Sequence, residues 1–354
     1  MGYNAKMLTE IINAPLDELL NEANRVRSEV FGNDIDFCAI VNIKSGRCAM
    51  DCRFCAQSKH HATSVATYPL LHAEKLLAET HQLWNQNIPR VGWVSSGGTQ
   101  EDIDQIVNSA TTLLERVSIW SGQSPLLGER GHIADRVECP HPSPLPEREG
   151  ATFGQKNVQT DLGHALAADD AKQLCASLGQ LKTPELRQLR DAGFCRYHHN
   201  LETSERFYPS ICTTQRWRDR RATVERVKEL GWSVCSGGLF GLGETWEDRL
   251  QLALTLKELE VDSVPINFFS PIPGTPLADR TVLTPDEALR IVVLFRLTLP
   301  KATIRICGGR PAVFAERKQD ALLLQAGANA FMTGNYLTTS GISPEKDMDM
   351  LVLC

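Results

Sequence analysis

No stretch of about 18 apolar residues occurs in the chain, so no segment reads as a transmembrane helix. A basic excess is lacking too: 37 Lys and Arg stand against 43 Asp and Glu, a net charge of −6. That balance leaves nothing to neutralise a phosphate backbone, which excludes a bulk nucleic-acid binder. The N-terminal MGYNAKMLTEIINAPLDELL has neither the basic start nor the apolar centre of a secretory signal. Lys6 also stands where an N-myristoylation site needs serine or threonine. A cytoplasmic protein is expected. What the chain does have is cysteine, eleven in all. In a reducing compartment these are not a disulfide framework, and metal binding or catalysis becomes the expectation.

Residues 1–36 read as an N-terminal helical segment, with Leu8, Ile11, Ile12, Leu16, Leu19 and Leu20 at helical spacing. From 37 to 350, strand-like runs alternate with helical ones. The strands are FCAIVNI (37–43), RVGWVSSGG, KQLCASLG (172–179), RYHHNLET (196–203), WSVCSGGLFGLG, VDSVPINFF, ATIRICGG and the AGANAFMTG run. Strands alternating with helices of this length imply a parallel sheet, and their number predicts an α/β fold, a (β/α)8 TIM-type barrel. In such barrels chemistry collects at the C-terminal ends of the strands. Residues 118–168 do not fit, being rich in Gly, Pro and charge without apolar period. They read as a surface insertion, disordered in part, with Cys139 inside it functionally irrelevant.

CAMDCRFC places Cys48, Cys52 and Cys55 at CxxxCxxC spacing directly after the first strand. Three thiolates can hold three irons of a cubane cluster and leave the fourth iron open, whereas an electron-transfer cluster is usually held by four cysteines. A structural zinc site, with His60 or His61 as fourth ligand, is the alternative. The spacing, with Phe54 before the last cysteine, resembles the radical S-adenosylmethionine superfamily. The resemblance implies a 4Fe–4S cluster with S-adenosyl-L-methionine on the open iron, and an electron passed into the sulfonium to release a 5′-deoxyadenosyl radical. It also implies that Ser96, Gly97 and Gly98 of VSSGGT receive the methionine amino group. The backbone around Leu239 in GGLFGLGET would approach the adenosyl group.

Further blocks are similar to the biotin synthase family: NIKSGRCAMDCRFCAQS (42–58), YHHNLETS (197–204), VCSGGLFGLGET (234–245), SVPINFFSPIPGTPLAD (263–279), IRICGGR (304–310) and AGANAFMTGNYLTT (326–339). The resemblance implies sulfur insertion into dethiobiotin, a reduced flavodoxin or ferredoxin as electron donor, and a homodimer. It also implies a second, auxiliary iron–sulfur cluster as sulfur source. In the better-known form that is a 2Fe–2S cluster on three cysteines and an arginine. Cys175, Cys235 and Arg305 match that set, but RVGWVSSGG carries no cysteine. Cys212 and Cys307 stand where the better-known form has none, which resembles an anaerobe-type subgroup with a variant 4Fe-type cluster. Cys175, Cys212, Cys235 and Cys307 are therefore the expected auxiliary ligands, with Arg305 the alternative. Cys38 and Cys195 read as core or surface thiols, and Cys354 as a terminal thiol without use.

By the same resemblance Asn200 and Asn267 lie near dethiobiotin, Glu202 serves the ribose hydroxyls and Arg220 the cofactor carboxylate. His198 replaces a family asparagine. Two rivals share part of this pattern. Another radical S-adenosylmethionine enzyme of cofactor or metallocluster maturation needs the cysteine loop but not the internal cysteines with Asn200 and Asn267. A non-catalytic iron–sulfur carrier explains the cysteines but not the asparagines and glycine loops.

Overall fold

The computed structural model describes residues 2–97, 100–120 and 172–351. The N-terminal segment is two helices, not one: α1 (Gly2–Asn13) and α2 (Leu16–Phe31). Pro15, at φ −51° and ψ 135°, occupies the N-cap of α2, because its ring cannot continue the preceding helix. Arg290 fixes the break by donating to the carbonyls of Ile11 (2.8 Å) and Ala14 (2.9 Å).

Strands and helices then alternate: β1 (Asp36–Lys44), α3 (Ala73–Asn85), β2 (Arg90–Ser95), α4 (Gln100–Trp120), β3 (Gln173–Ser177), α5 (Thr183–Asp191), β4 (Arg196–His198) and α6 (Trp217–Glu229). They continue with β5 (Ser233–Cys235), β6 (Gly238–Phe240), α7 (Trp246–Glu258), β7 (Ser263–Phe268), α8 (Pro285–Thr298) and β8 (Thr303–Ile306). The last elements are α9 (Arg310–Val313), α10 (Arg317–Gln325), β9 (Ala330–Met332) and α11 (Pro344–Leu351). All pairings are parallel. β9 closes onto β1, and both β5 and β6 pair with β7, so these two are halves of one strand. The result is a closed eight-position TIM-type barrel. Helix α4 runs through Trp120, so the expected insertion does not begin before residue 121. The rest of it, with Cys139, lies outside the described residues, as do Gly98 and Cys354.

The burial pattern shows what kind of barrel this is. Along β1, Phe37, Ala39, Val41 and Ile43 are buried, while Cys38, Ile40 and Asn42 between them keep accessible surface. β2 repeats the pattern, with Val91 and Trp93 buried and Arg90, Gly92 and Val94 half-buried. Side chains alternate across a strand, so the buried set faces the helices and the half-buried set faces the axis. The dense apolar core is therefore the shell between strands and helices. There the Trp93 indole donates to Thr80 Oγ1 at 2.9 Å and packs edge-on against Phe194. The axis is a hollow, unlike the filled interior usual for such barrels.

Candidate active site

At the mouth of the hollow, the chain leaving β1 forms the three-cysteine loop. Gln57 organises its start, accepting through Oε1 from Ser45 Oγ (3.1 Å) and from the Gly46 amide. The Cys48 amide donates to Gln57 O at 2.8 Å, Lys59 N to Cys48 O at 2.9 Å, and Cys55 N to Cys52 O at 2.9 Å. The loop is thus pre-shaped by its own backbone, and all three thiols are half-buried. The zinc alternative fares poorly. The Nε2 atoms of His60 and His61 lie 3.0 Å from the carbonyls of Ala49 and Cys52, not beside a thiol cluster. Among the described residues no three His, Cys, Asp or Glu side chains close on one point as a single metal ion needs. A cluster distributes its ligands over separate irons, and the three thiols on one loop fit that.

A second segment, residues 211–214, is docked on this loop. Arg53 N donates to Ile211 O at 2.9 Å. The Asp51 carboxylate accepts from the amides of Thr213 (2.9 Å) and Thr214 (3.1 Å) and from both threonine hydroxyls. Desolvation opposes its charge, but these donors hold Asp51 well below the usual carboxylate range. Cys212 donates to Asp51 Oδ1 at 3.3 Å, and its sulfur also meets Cys52. The structure therefore brings Cys212 to the radical-cluster loop and not to Cys175, Cys235 and Cys307. Cys212 follows a single 3-10 turn, Tyr208–Ser210, outside any strand, so no barrel periodicity directs it inward.

The rim residues expected at the cofactor and substrate do come together. Arg220 reaches from α6 to donate to Asn200 O (2.6 Å), Gln215 Oε1 (2.9 Å) and Glu202 Oε1 (3.1 Å). These contacts occupy three of its five donors. Glu202 sits at φ +69°, a left-handed conformation held because its amide donates to Gly237 O and its carbonyl accepts from Leu239 N. Asn200 Oδ1 accepts from Gly237 N at 3.1 Å. Asn267 donates to Gly238 O (3.2 Å) and accepts from Gly308 N (3.0 Å). Asn200 Nδ2 also donates to Glu202 Oε2 at 3.4 Å, so each asparagine retains one N–H and one lone pair for a ligand. Ser96 donates from Oγ to Gly46 O at 2.8 Å, tying the end of β2, with Gly97, to the cysteine loop. Glu244 anchors the GLFGLGET loop. Its buried carboxylate accepts from the amides of Gly241, Leu242 and Gly243 and from Arg249 Nε at 2.9 Å.

Cys175, Cys235 and Cys307 are buried within the barrel, and Cys38 lies close to Cys235 and Cys307. Burial pushes Cys175 and Cys307 up, and Cys38 up to about 11. Burial also opposes ionisation of Cys235, but the adjacent His198 imidazole, with Arg196 and Arg305, brings it down to about 7. Arg90, Arg196 and Arg305 surround these thiols closely enough to act on their charge. A buried group of thiols with arginines around it fits an anionic iron–sulfur cluster, whose irons and cationic neighbours would stabilise the thiolates. Two outer grooves, about 530 Å3 beside Arg206 and Asp248 and about 480 Å3 between α1 and α7, lie on the helical shell and contain no thiol.

Comparison with known proteins agrees with this geometry. Residues 42–256 match the radical SAM superfamily, and residues 265–353 match the biotin and thiamin synthesis associated domain. Among solved structures, methylornithine synthase superimposes with TM-score 0.68 at 18% identity, covering 97% of this chain and 86% of that one. The FeFe-hydrogenase maturase HydG from Carboxydothermus hydrogenoformans does so with TM-score 0.70 at 14% identity, covering 99% and 77%. These likenesses establish the barrel. Fold and cysteine loop together define a radical S-adenosylmethionine enzyme. The biotin synthase of Desulfovibrio desulfuricans is 43% identical over 97% of this chain and 92% of its own length, and that of Clostridium botulinum strain Langeland 34% over 97% and 91%. The chain belongs to the biotin synthase family. Among the described residues, no helix is long and apolar enough to cross a membrane.

Proposed function

We infer that this cytoplasmic chain forms biotin from dethiobiotin, with the two ends of one hollow divided between two clusters. The observation that carries this reading is the register of the side chains. The cysteine loop follows β1 at the mouth, Cys175 and Cys235 stand level with Arg196 and His198, below Asn200, and Cys307 stands level with Asn267. Cys48, Cys52 and Cys55 would hold the cluster that supplies the electron for cleaving S-adenosylmethionine. Cys175, Cys235 and Cys307 would hold the auxiliary cluster that supplies sulfur.

The chain's own groups do the positioning. Arg220, held in place by its contacts to Asn200, Gln215 and Glu202, is suited to pair with the methionyl carboxylate. Glu202, fixed beside it at 3.1 Å, offers acceptors for vicinal hydroxyls. Ser96 and Gly97 at the end of β2 would receive the methionine amino group, and the backbone at Leu239 would lie along the adenosyl group. The spare donor and acceptor on Asn200 and on Asn267 match a ureido ring, which presents N–H and C=O edges. A reduced flavodoxin or ferredoxin serves as donor in this reading, and the working unit is a homodimer.

The test is anaerobic turnover of reconstituted enzyme, with biotin and 5′-deoxyadenosine measured together. Biotin formation with 5′-deoxyadenosine release stimulated by dethiobiotin is expected. Release indifferent to dethiobiotin, with no biotin, would point instead to another maturation enzyme of the superfamily.

A further inference from the structure

The cysteine that sequence pattern left in the core is the one the barrel register delivers to the auxiliary site. On the β8–β9 ladder Arg305 pairs with Ala330 and Ile306 with Phe331, which puts Cys307 level with Met332. On the β9–β1 ladder Met332 pairs with Cys38, and Ala330 with Asp36. One row of the hollow therefore runs Cys307, Met332, Cys38, and the row beneath it runs Arg305, Ala330, Asp36. Both cysteines occupy inward positions of the period-2 alternation. Their thiols, with that of Cys235, lie near enough to feel one another's charge.

Two further observations point to a group filling the space between them. Cys38 keeps accessible surface although protein encloses it on every side, so the surface it shows belongs to the internal hollow. Gly92 pairs with Cys175 on one side and with Ile40 on the other, and it too faces inward. A Cβ at Gly92 would meet only Ile40 Cγ2 at 3.5 Å and Ala39 O at 3.8 Å, both ordinary contacts. Neither the backbone nor the packing requires glycine there, yet the position holds no side chain. Space is left open between the strands that carry Cys38 and Cys175.

Arg305 is meanwhile committed elsewhere. Its guanidinium is paired with Asp36 in the lower row and directs Nη1 toward Phe331 O at 3.5 Å. A cation clamped by a carboxylate is a wall of the site more than a ligand in it.

We propose that Cys38 is the fourth thiolate of the auxiliary cluster, together with Cys175, Cys235 and Cys307, and that Cys212 belongs to the radical-cluster loop. The site then takes a four-iron sulfide cluster held entirely by cysteine, with Arg90, Arg196 and Arg305 beside it neutralising its charge. This rests on the reading that the hollow holds a second cluster.

The experiment uses the full chain, reconstituted anaerobically with iron and sulfide. Iron analysis and Mössbauer spectra are recorded for wild type, Cys38→Ser, Cys212→Ser and a Cys48/Cys52/Cys55 triple alanine, which displays the auxiliary component alone. Two four-iron clusters give about eight irons in wild type. Cys38→Ser should lower total iron by about half, with the loss confined to the auxiliary component, and Cys212→Ser should keep that component. An intact auxiliary component in Cys38→Ser, or its loss in Cys212→Ser, overturns the assignment. A measurement on wild type avoids any folding defect: Cys38 should gain labelling by a small thiol reagent once iron is stripped by chelation. No gain on stripping also overturns it. Failure of the underlying reading looks different, because wild type then holds only about four irons and the triple alanine none.

Discussion

Gly237→Ala should damage both stability and cofactor binding, and the size of the effect follows from contacts around one missing side chain. Gly237 lies in the break between β5 and β6, where the chain bends toward the tail of β4. Its carbonyl accepts from Leu201 N (3.0 Å) and Glu202 N (3.1 Å), and its amide donates to Asn200 Oδ1 at 3.1 Å. A Cβ built there falls 2.0 Å from Pro265 O and 2.9 Å from Pro265 Cδ, on the backbone and ring of β7. No rotamer relieves a clash with backbone, so the strand halves must separate. Overpacking of this kind costs about 1–3 kcal/mol. Weakening three hydrogen bonds at about 0.5–1 kcal/mol each raises the total to roughly 2.5–6 kcal/mol. That is a large part of the roughly 5–15 kcal/mol that holds an ordinary domain folded. Urea unfolding of the cluster-free protein, followed by tryptophan fluorescence, should show the loss as a lowered midpoint with unchanged slope. S-Adenosylmethionine affinity of the reconstituted variant should fall as well, since Asn200 and Glu202 shift with the bend. A variant within about 0.5 kcal/mol of wild type, the range of a neutral surface change, would refute the reasoning.

Each of Cys48→Ala, Cys52→Ala and Cys55→Ala should abolish 5′-deoxyadenosine formation while the auxiliary cluster's absorbance survives; reductive cleavage retained in all three would refute their role. Gly92→Leu should fold with a urea midpoint near wild type yet bind roughly half the iron, because its side chain enters the space left for the cluster and not the packed shell. Asp248 is buried, accepts from Ser204 Oγ and Arg206 Nη2 (each 2.6 Å) and from the Thr245 amide (2.9 Å), and is held below the usual carboxylate range despite desolvation. A depressed folded pKa stabilises above the unfolded value of about 3.9 and loses that contribution as pH falls, so the advantage of wild type over Asp248→Asn in urea midpoint should shrink from about pH 5 to about pH 3. Replacing residues 121–171 with a short Gly/Ser connector between α4 and β3 should preserve both clusters, and loss of iron on that replacement would show that the segment belongs to the working site.

The barrel was legible because alternating strand and helix patterns are local and repeat. The places where the structure departs from that reading are those where a long-range contact overrides local pattern. The run RYHHNLET looks like one strand from 196 to 203, but β4 ends at His198. Beyond it Leu201 and Glu202 turn their amides to Gly237 instead of to a neighbouring ladder. WSVCSGGLFGLG reads as a strand and loop, but its strand is broken into β5 and β6 at Gly237, where a Cβ would fall 2.0 Å from Pro265 O. The N-terminal helical segment divides into two helices for a local reason that the sequence did contain, the proline at position 15.

The site was legible to the extent that its chemistry lies within one short segment. CAMDCRFC is such a segment. The thiols proposed for the auxiliary site come from β1, β3, β5 and the end of β8, and assigning them requires knowing which face each occupies. For Cys38 that information was present: Phe37, Ala39, Val41 and Ile43 form an apolar alternation that must face the helices, which sends Cys38 to the axis. For Cys212 no such signal exists, since it follows a single turn whose position is set by Asp51, 161 residues earlier in sequence. Asp51 itself looks like an ordinary exposed acid between two cysteines, and only its four donors on Thr213 and Thr214 reveal it as the clamp joining the loops. Number and spacing of cysteines thus identify cluster chemistry, whereas strand parity decides which cluster each thiol can reach. In a hollow barrel parity carries more weight than chain order, because inward residues of distant strands meet while sequence neighbours face opposite layers.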